Sequence, residues 1–82
     1  MFENLKYQFY GGLFTANAKR FNQAIMQANR ESMILYSKKA VESGKKALAL
    51  ESKIGIEPEI GIKRTLRKIE KMYEMLQNSS DV

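Results

Sequence analysis

Residues 13–54 read LFTANAKRFNQAIMQANRESMILYSKKAVESGKKALALESKI, a stretch with no proline and a single glycine. Apolar side chains recur in it every three or four residues, which is the spacing of one face of an α-helix. They form two overlapping stripes: Phe14, Ala18, Phe21, Ile25, Ala28 and Leu35, followed by Met33, Tyr36, Ala40, Ala47, Leu50 and Ile54. This stretch decides the fold, and we predict one continuous helix over residues 13–54.

The only candidate break in this helix is Gly44. A helix that ends at a glycine usually has an apolar residue just after it, which contacts the last turn. Gly44 is instead followed by Lys45 and Lys46, and the apolar pattern resumes at Ala47 in the same phase. The sequence therefore predicts that the helix continues through Gly44, at a cost of about 1 kcal/mol relative to alanine.

Gly55 has the opposite context, because the apolar residue Ile56 follows it directly. Residues 57–59 then place one proline between two acids, which suits the first turn of a new helix. We predict a turn over residues 55–59, a C-terminal helix over residues 60–77 and a flexible tail over residues 78–82.

The C-terminal helix carries a regular apolar seam, with spacings of four, three, four and three residues: Ile62, Leu66, Ile69, Tyr73 and Leu76. Such a seam is typical of a helix that packs against another helix. A turn at residues 55–59 would lay it antiparallel on the second half of the long helix. We expect Ile62 near Ile54 and Leu66 near Leu50.

The N-terminal segment, residues 1–12, is rich in aromatic residues. Phe2, Leu5 and Phe9 could line one face of a short helix, and Gly11 and Gly12 are expected to end it. Two interpretations are open: the aromatic arm folds back on the chain's own core, or it docks on a partner or a membrane surface.

Together these elements predict an all-α fold in one helical domain, an antiparallel helical hairpin with an aromatic N-terminal arm. The first half of the long helix has no partner in that hairpin. We therefore predict that its stripe mediates self-association or binds a larger protein complex. The residues of this predicted surface are Phe14, Ala18, Phe21, Ile25 and Ala28.

Composition limits the chemistry of this 82-residue chain, which contains no cysteine and no histidine. Disulfides and thiolate metal sites are excluded, and the commonest general base and metal ligand is missing. We expect no enzyme activity, no cofactor, no metal site and no small-molecule substrate. The first residues are too polar for a secretory signal and no apolar run approaches about 18 residues, so we expect no transmembrane segment and a cytoplasmic location or a place within an intracellular assembly.

Basic residues exceed acidic ones by 14 to 9, a net charge of +5. Many of the cations avoid the predicted seams and are candidates for contacts with nucleic acid: Lys38, Lys39, Lys45, Lys46, Lys63, Arg64, Arg67, Lys68 and Lys71. Acids are interspersed among them, and the basic faces of the two helices point in different directions. We therefore favour a non-enzymatic protein of interaction or assembly, with nucleic-acid binding as the alternative function.

Overall fold

A computed structural model describes residues 2–57 and 61–79, and the regular structure of these residues is entirely helical. The helices are α1 (Phe2–Met26), α2 (Arg30–Ile54) and α3 (Lys63–Ser79). Both α1 and α3 pack against α2, and the molecule is elongated, with extents of 45 × 18 × 18 Å. The predicted all-α class is confirmed.

The prediction of one continuous helix over residues 13–54 is wrong, because the chain turns between Met26 and Arg30. Ala28 has a φ of 54°, in the left-handed region. Its N–H donates to the Ile25 carbonyl, and the N–H of Asn29 donates to the Ala24 carbonyl, each at 3.0 Å. These two hydrogen bonds form a Schellman motif, which normally places glycine at the left-handed position. With alanine there, the usual sequence signal for a helix end is missing.

Asn29 is the N-cap of α2, and an asparagine at this position is a sequence signal for the start of a helix. The Asn29 side chain accepts a hydrogen bond from the Ser32 N–H at 3.2 Å, and asparagine is among the preferred N-cap residues. Glu31 lies in the first turn of α2, where the helix dipole favours an acid. The apolar spacing runs through the break without a change of phase, and this regularity concealed the cap.

Gly11 and Gly12 do not end a helix, which corrects the predicted arm over residues 1–12. Helix α1 runs through both glycines, and the part of α1 that precedes them contacts α2. The Tyr7 hydroxyl donates to the Glu51 carboxylate at 2.6 Å, and the Lys46 ammonium lies 5.2 Å from the centre of the Tyr10 ring. Tertiary contacts of this kind offset the helix-breaking tendency of glycine.

Gly44 lies inside α2, as predicted. It is buried where the three helices meet. A Cβ atom built on Gly44 would lie 2.6 Å from Leu66 Cδ1 of α3 and 2.8 Å from Phe14 Cδ1 of α1. Because such distances are far below van der Waals contact, only glycine lets both side chains approach α2 at this level.

The predicted helix end at Gly55 is confirmed, since this residue has a φ of 81° and its N–H donates to the Glu51 carbonyl. The C-terminal helix differs from its predicted range of 60–77, because α3 begins at Lys63 and ends at Ser79. The predicted tail at residues 78–82 is therefore helical over residues 78–79. Residues 58–60, with the predicted proline turn, and residues 80–82 lie outside the described part of the chain.

The later start of α3 changes its register on α2. The Ile62 N–H donates to the Glu51 carboxylate at 2.9 Å, and Leu66 lies against Gly44. The pairing is therefore displaced from the predicted neighbours, by three residues from Ile54 for Ile62 and by six residues from Leu50 for Leu66, or about one to two helical turns. The seam itself is buried against a common core, whose buried residues are Phe14, Phe21, Ala40, Val41, Leu66 and Ile69.

The contact at Gly44 predicts opposite effects for two glycine-to-alanine substitutions. Gly44→Ala should lower the free energy of unfolding by about 1–3 kcal/mol, because the added methyl overpacks the core. Gly11→Ala is the matched control, since no atom lies within 4 Å of its Cβ position. It should raise stability by about 0.5–1 kcal/mol through helix propensity. Urea unfolding followed by circular dichroism measures both, and a neutral or stabilising Gly44→Ala would contradict the three-helix contact.

The left-handed residue between α1 and α2 predicts a stabilising substitution. Ala28→Gly should raise the free energy of unfolding by about 1 kcal/mol, because the left-handed conformation costs that much for a residue with a Cβ. Asn29→Ala should lower it by about 1 kcal/mol through loss of the N-cap. If the helix were instead continuous, Ala28→Gly would be destabilising and Asn29→Ala stabilising, so the signs of the two changes decide between the structures.

Candidate functional site

The stripe predicted to mediate self-association is divided between the core and the surface. Phe14 and Phe21 are only 3% and 2% exposed and belong to the core. Ala18 is half-buried, whereas Ile25 and Ala28 are exposed. The premise that this stripe has no partner within the chain is therefore wrong: the turn at residues 27–29 folds α1 back onto α2, which covers its centre.

Helix α1 instead exposes a different apolar stripe, of which the sequence analysis identified only the first three residues as one helix face. Phe2, Leu5, Phe9 and Leu13 are 76%, 62%, 61% and 40% exposed. Their spacing of three, four and four residues places them on one face of α1, and we call this set the α1 stripe. The periodicity of its first three members was visible in the sequence. The expected helix end at Gly11 hid its continuation to Leu13.

Over residues 7–18 the α1 stripe is bordered by small and uncharged residues, whereas the exposed Lys6 borders its N-terminal half. Gly12 and Ala16 are exposed and follow the same face, and no atom lies within 4 Å of the Cβ position of Gly12. The packing of this chain therefore does not require a glycine there. Residues 7–18 contain no charged side chain, so another helix can approach this part of α1 without burying a charge.

A second apolar surface lies at the opposite end of α1, where the three helices form an open groove. Its volume is about 340 Å³. We call it the methionine groove, because three of its six lining residues are methionines: Phe21, Ile25, Met33, Met72, Met75 and Leu76. Met75 is 69% exposed and Met72 is 42% exposed. Flexible, polarizable methionine side chains are suited to surfaces that adapt to a partner.

The predicted nucleic-acid contacts lie on the surface in two environments, and of the nine only Lys63 is half-buried. On α2, Lys45 lies 3.5 Å from the Glu70 carboxylate, while Lys39 and Lys46 lie over the rings of Tyr36 and Tyr10. On α3, Arg64, Arg67, Lys68 and Lys71 are exposed. The four α2 cations are exposed as well, but three of them contact an acid or an aromatic ring of the same chain.

Glu51 is a buried carboxylate that the sequence reasoning did not single out, and it is only 2% exposed. One oxygen accepts hydrogen bonds from the Tyr7 hydroxyl and from the Ile62 N–H. The other oxygen has no hydrogen-bond partner among the described residues. A Cβ on Gly61 would collide with this carboxylate. Glu51 therefore links the N-terminal half of α1 to the start of α3.

The Glu51 carboxylate has a structural role, because an acid that accepts a backbone N–H beside the first turn of a helix stabilises the helix start. Within the described residues, Glu51 belongs to no group of three acidic side chains that could hold a metal ion. The same residues include no helix with the length and apolar character required to cross a bilayer.

Comparison with known proteins identifies no relative of this chain. No protein-family model, curated protein or solved structure matches the chain. The candidate sites therefore depend on the geometry alone.

The hydrogen bond between Tyr7 and Glu51 predicts a specific pH dependence. Burial, together with the hydrogen bond to Glu51 and its negative charge, raises the pKa of Tyr7 from 10.0 to about 12. Because the folded state favours the neutral phenol, this contribution to stability is present below pH 10 and is lost as the pH rises from 10 to 12.

The measurement is the free energy of unfolding of wild type and Tyr7→Phe at several pH values between about 8 and 12. Wild type should lose more stability than Tyr7→Phe above pH 10. Deprotonation of lysines affects both proteins alike, so the difference isolates Tyr7. Parallel curves would show that Tyr7 does not donate to Glu51.

Proposed function

We propose that this chain is a non-enzymatic helical protein of interaction or assembly that self-associates through the α1 stripe. The observation that carries the proposal is the exposure of Phe2, Leu5, Phe9 and Leu13 along one helix face. A continuous apolar face of this kind is typical of a protein–protein contact. The proposal keeps the self-association predicted from the sequence and moves its surface to the other side of α1.

The area of the α1 stripe suits a dimer. With about 200 Å² of accessible surface for each fully exposed large side chain, the four residues offer roughly 500 Å² per copy. A two-fold contact would thus bury roughly 1,000 Å² of apolar surface, near the lower limit of specific interfaces. Polar residues at the border of the stripe would add to this area.

The order of residues along the stripe is self-complementary, which a two-fold contact requires. An antiparallel pair of α1 helices centred on Phe9 would set Leu5 of one copy opposite Leu13 of the other. The same pairing would set Phe2 opposite Ala16, so that a large side chain faces a small one. Gly12, whose missing side chain has no role in the packing of the single chain, would let the two backbones approach closely.

Nucleic-acid binding stays an alternative prediction. Three of the four candidate cations on α2 already contact an acid or an aromatic ring of the same chain. The exposed cations of α3 cover about 100° of the helix and are bordered by Glu70 and Glu74, so they do not form a continuous basic face. A self-associating protein accounts for the α1 stripe, whereas a nucleic-acid-binding monomer leaves it unexplained.

The test is a matched pair of glutamate substitutions on adjacent exposed residues of α1. Phe9→Glu places two carboxylates opposite each other at the centre of the proposed dimer, whereas Gln8→Glu introduces the same residue about 100° around the helix. We expect wild type and Gln8→Glu to have twice the mass of one chain, and Phe9→Glu to have the mass of one chain with unchanged helix content.

Light scattering coupled to size-exclusion chromatography measures these masses. The proposal fails if wild type has the mass of one chain up to about 100 µM, since contacts weaker than that are not stable assemblies. It also fails if Gln8→Glu dissociates the dimer as fully as Phe9→Glu does, because the contact would then lie off the α1 stripe.

A further inference from the structure

The methionine groove has a basic edge, and this combination points to a particular kind of partner. Arg64, Lys68, Lys71 and Met75 follow one another at spacings of four, three and four residues, so they share one edge of α3. Met75 lines the groove, and the three cations are exposed. A row of positive charge therefore runs along α3 and leads into the apolar surface.

The other charges near the groove leave this edge with an excess of positive charge, three cations against one neighbouring acid. Glu70 lies 3.5 Å from Lys45 of α2, and Glu74 borders the row at a spacing of three residues from Lys71. On the α1 wall, residues 21–29 carry no charge. The guanidinium of Arg30 donates to the Leu76 carbonyl at 3.2 Å, which places a further cation at this end of α3.

We infer that the methionine groove binds an amphipathic helix of a partner protein, with aliphatic side chains in the groove and a row of acids against Arg64, Lys68 and Lys71. Helices that bind grooves insert apolar side chains spaced three, four and seven residues apart. The span from Arg64 to Met75 corresponds to about three turns. The positive charge along this edge favours the binding of an acidic helix and disfavours a basic one.

This inference goes beyond self-association and does not depend on it, because the groove and the α1 stripe lie at opposite ends of α1. The test therefore uses the full chain both as wild type and with Phe9→Glu. Peptide binding that is equal in the two proteins would separate the two surfaces, whatever the mass of wild type. Peptide binding that requires an intact α1 stripe would overturn the placement of the site.

The probes are three fluorescent peptides of about 16 residues, long enough for roughly four helical turns. The first has leucines along one face and glutamates on one flank. The second replaces those glutamates with lysines, and the third is a scrambled form of the first, with equal charge and no apolar face. We expect micromolar affinity for the first at about 0.15 M salt and at least tenfold weaker binding of the other two.

Two variants and a control locate the contact. Met75→Glu should weaken the glutamate peptide at least tenfold by placing a charge in the groove. Lys68→Glu with Lys71→Glu should reverse the preference, so that the lysine peptide binds better than the glutamate peptide. Lys38→Glu with Lys53→Glu is the control, because it makes the same charge change at two exposed positions of α2 and should alter affinity less than twofold.

Fluorescence anisotropy reads out each affinity, and circular dichroism checks that each variant keeps its helix content. Equal binding of the glutamate peptide and its scrambled form would overturn the inference, because attraction would then depend on net charge alone. Displacement of the peptide by a duplex RNA that binds more tightly would overturn it in favour of nucleic acid. Absence of binding at about 100 µM peptide would also overturn it.

Discussion

The structure depends on one close contact, in which Phe14 of α1 and Leu66 of α3 both approach the backbone of α2 at Gly44. Glycine at this position removes the side chain that would hold the helices apart, and so brings all three into one core. Close packing of this kind is important in an 82-residue chain, because a small domain has little apolar surface with which to offset the entropy lost on folding. The cost of an interior glycine in α2 is about 1 kcal/mol, and the burial of two large side chains exceeds it.

The buried carboxylate of Glu51 links the same three elements about two turns further along α2. Its hydrogen bonds with Tyr7 and with the Ile62 backbone reach from α2 to α1 and to the start of α3. A buried acid stabilises a fold only when polar partners replace the water that it loses. The hydrogen bond from the Ile62 N–H therefore helps to set the register at which α3 begins on α2.

The way α1 packs explains why apolar residues remain on the surface. Helix α1 has apolar residues on more than one face, but α2 and α3 cover only the side that carries Phe14 and Phe21. The stripe from Phe2 to Leu13 is turned away from this core, and the methionine groove lies where the last turns of α1 and α3 leave space between them. Two surfaces of different character result. One carries aromatic and aliphatic side chains on a helix face without charge over residues 7–18, and the other is rich in methionine and bordered by cations. We interpret them as contacts for different partners, a second copy of the chain and an acidic helix.

Periodicity and turn chemistry determined much of this protein by themselves. Local sequence patterns were sufficient to predict four features. These are the all-α class, the continuity of α2 through Gly44, the helix end at Gly55 and the buried seam of Leu66 and Ile69. The turn at residues 27–29 does not, because alanine occupies a left-handed position that sequence rules reserve for glycine, and the fold there outweighs an intrinsic preference of about 1 kcal/mol. Tertiary structure alone decided which stripe of α1 became core. Both stripes have helical spacing, and only the direction in which α1 folds back onto α2 buries one and leaves the other in solvent.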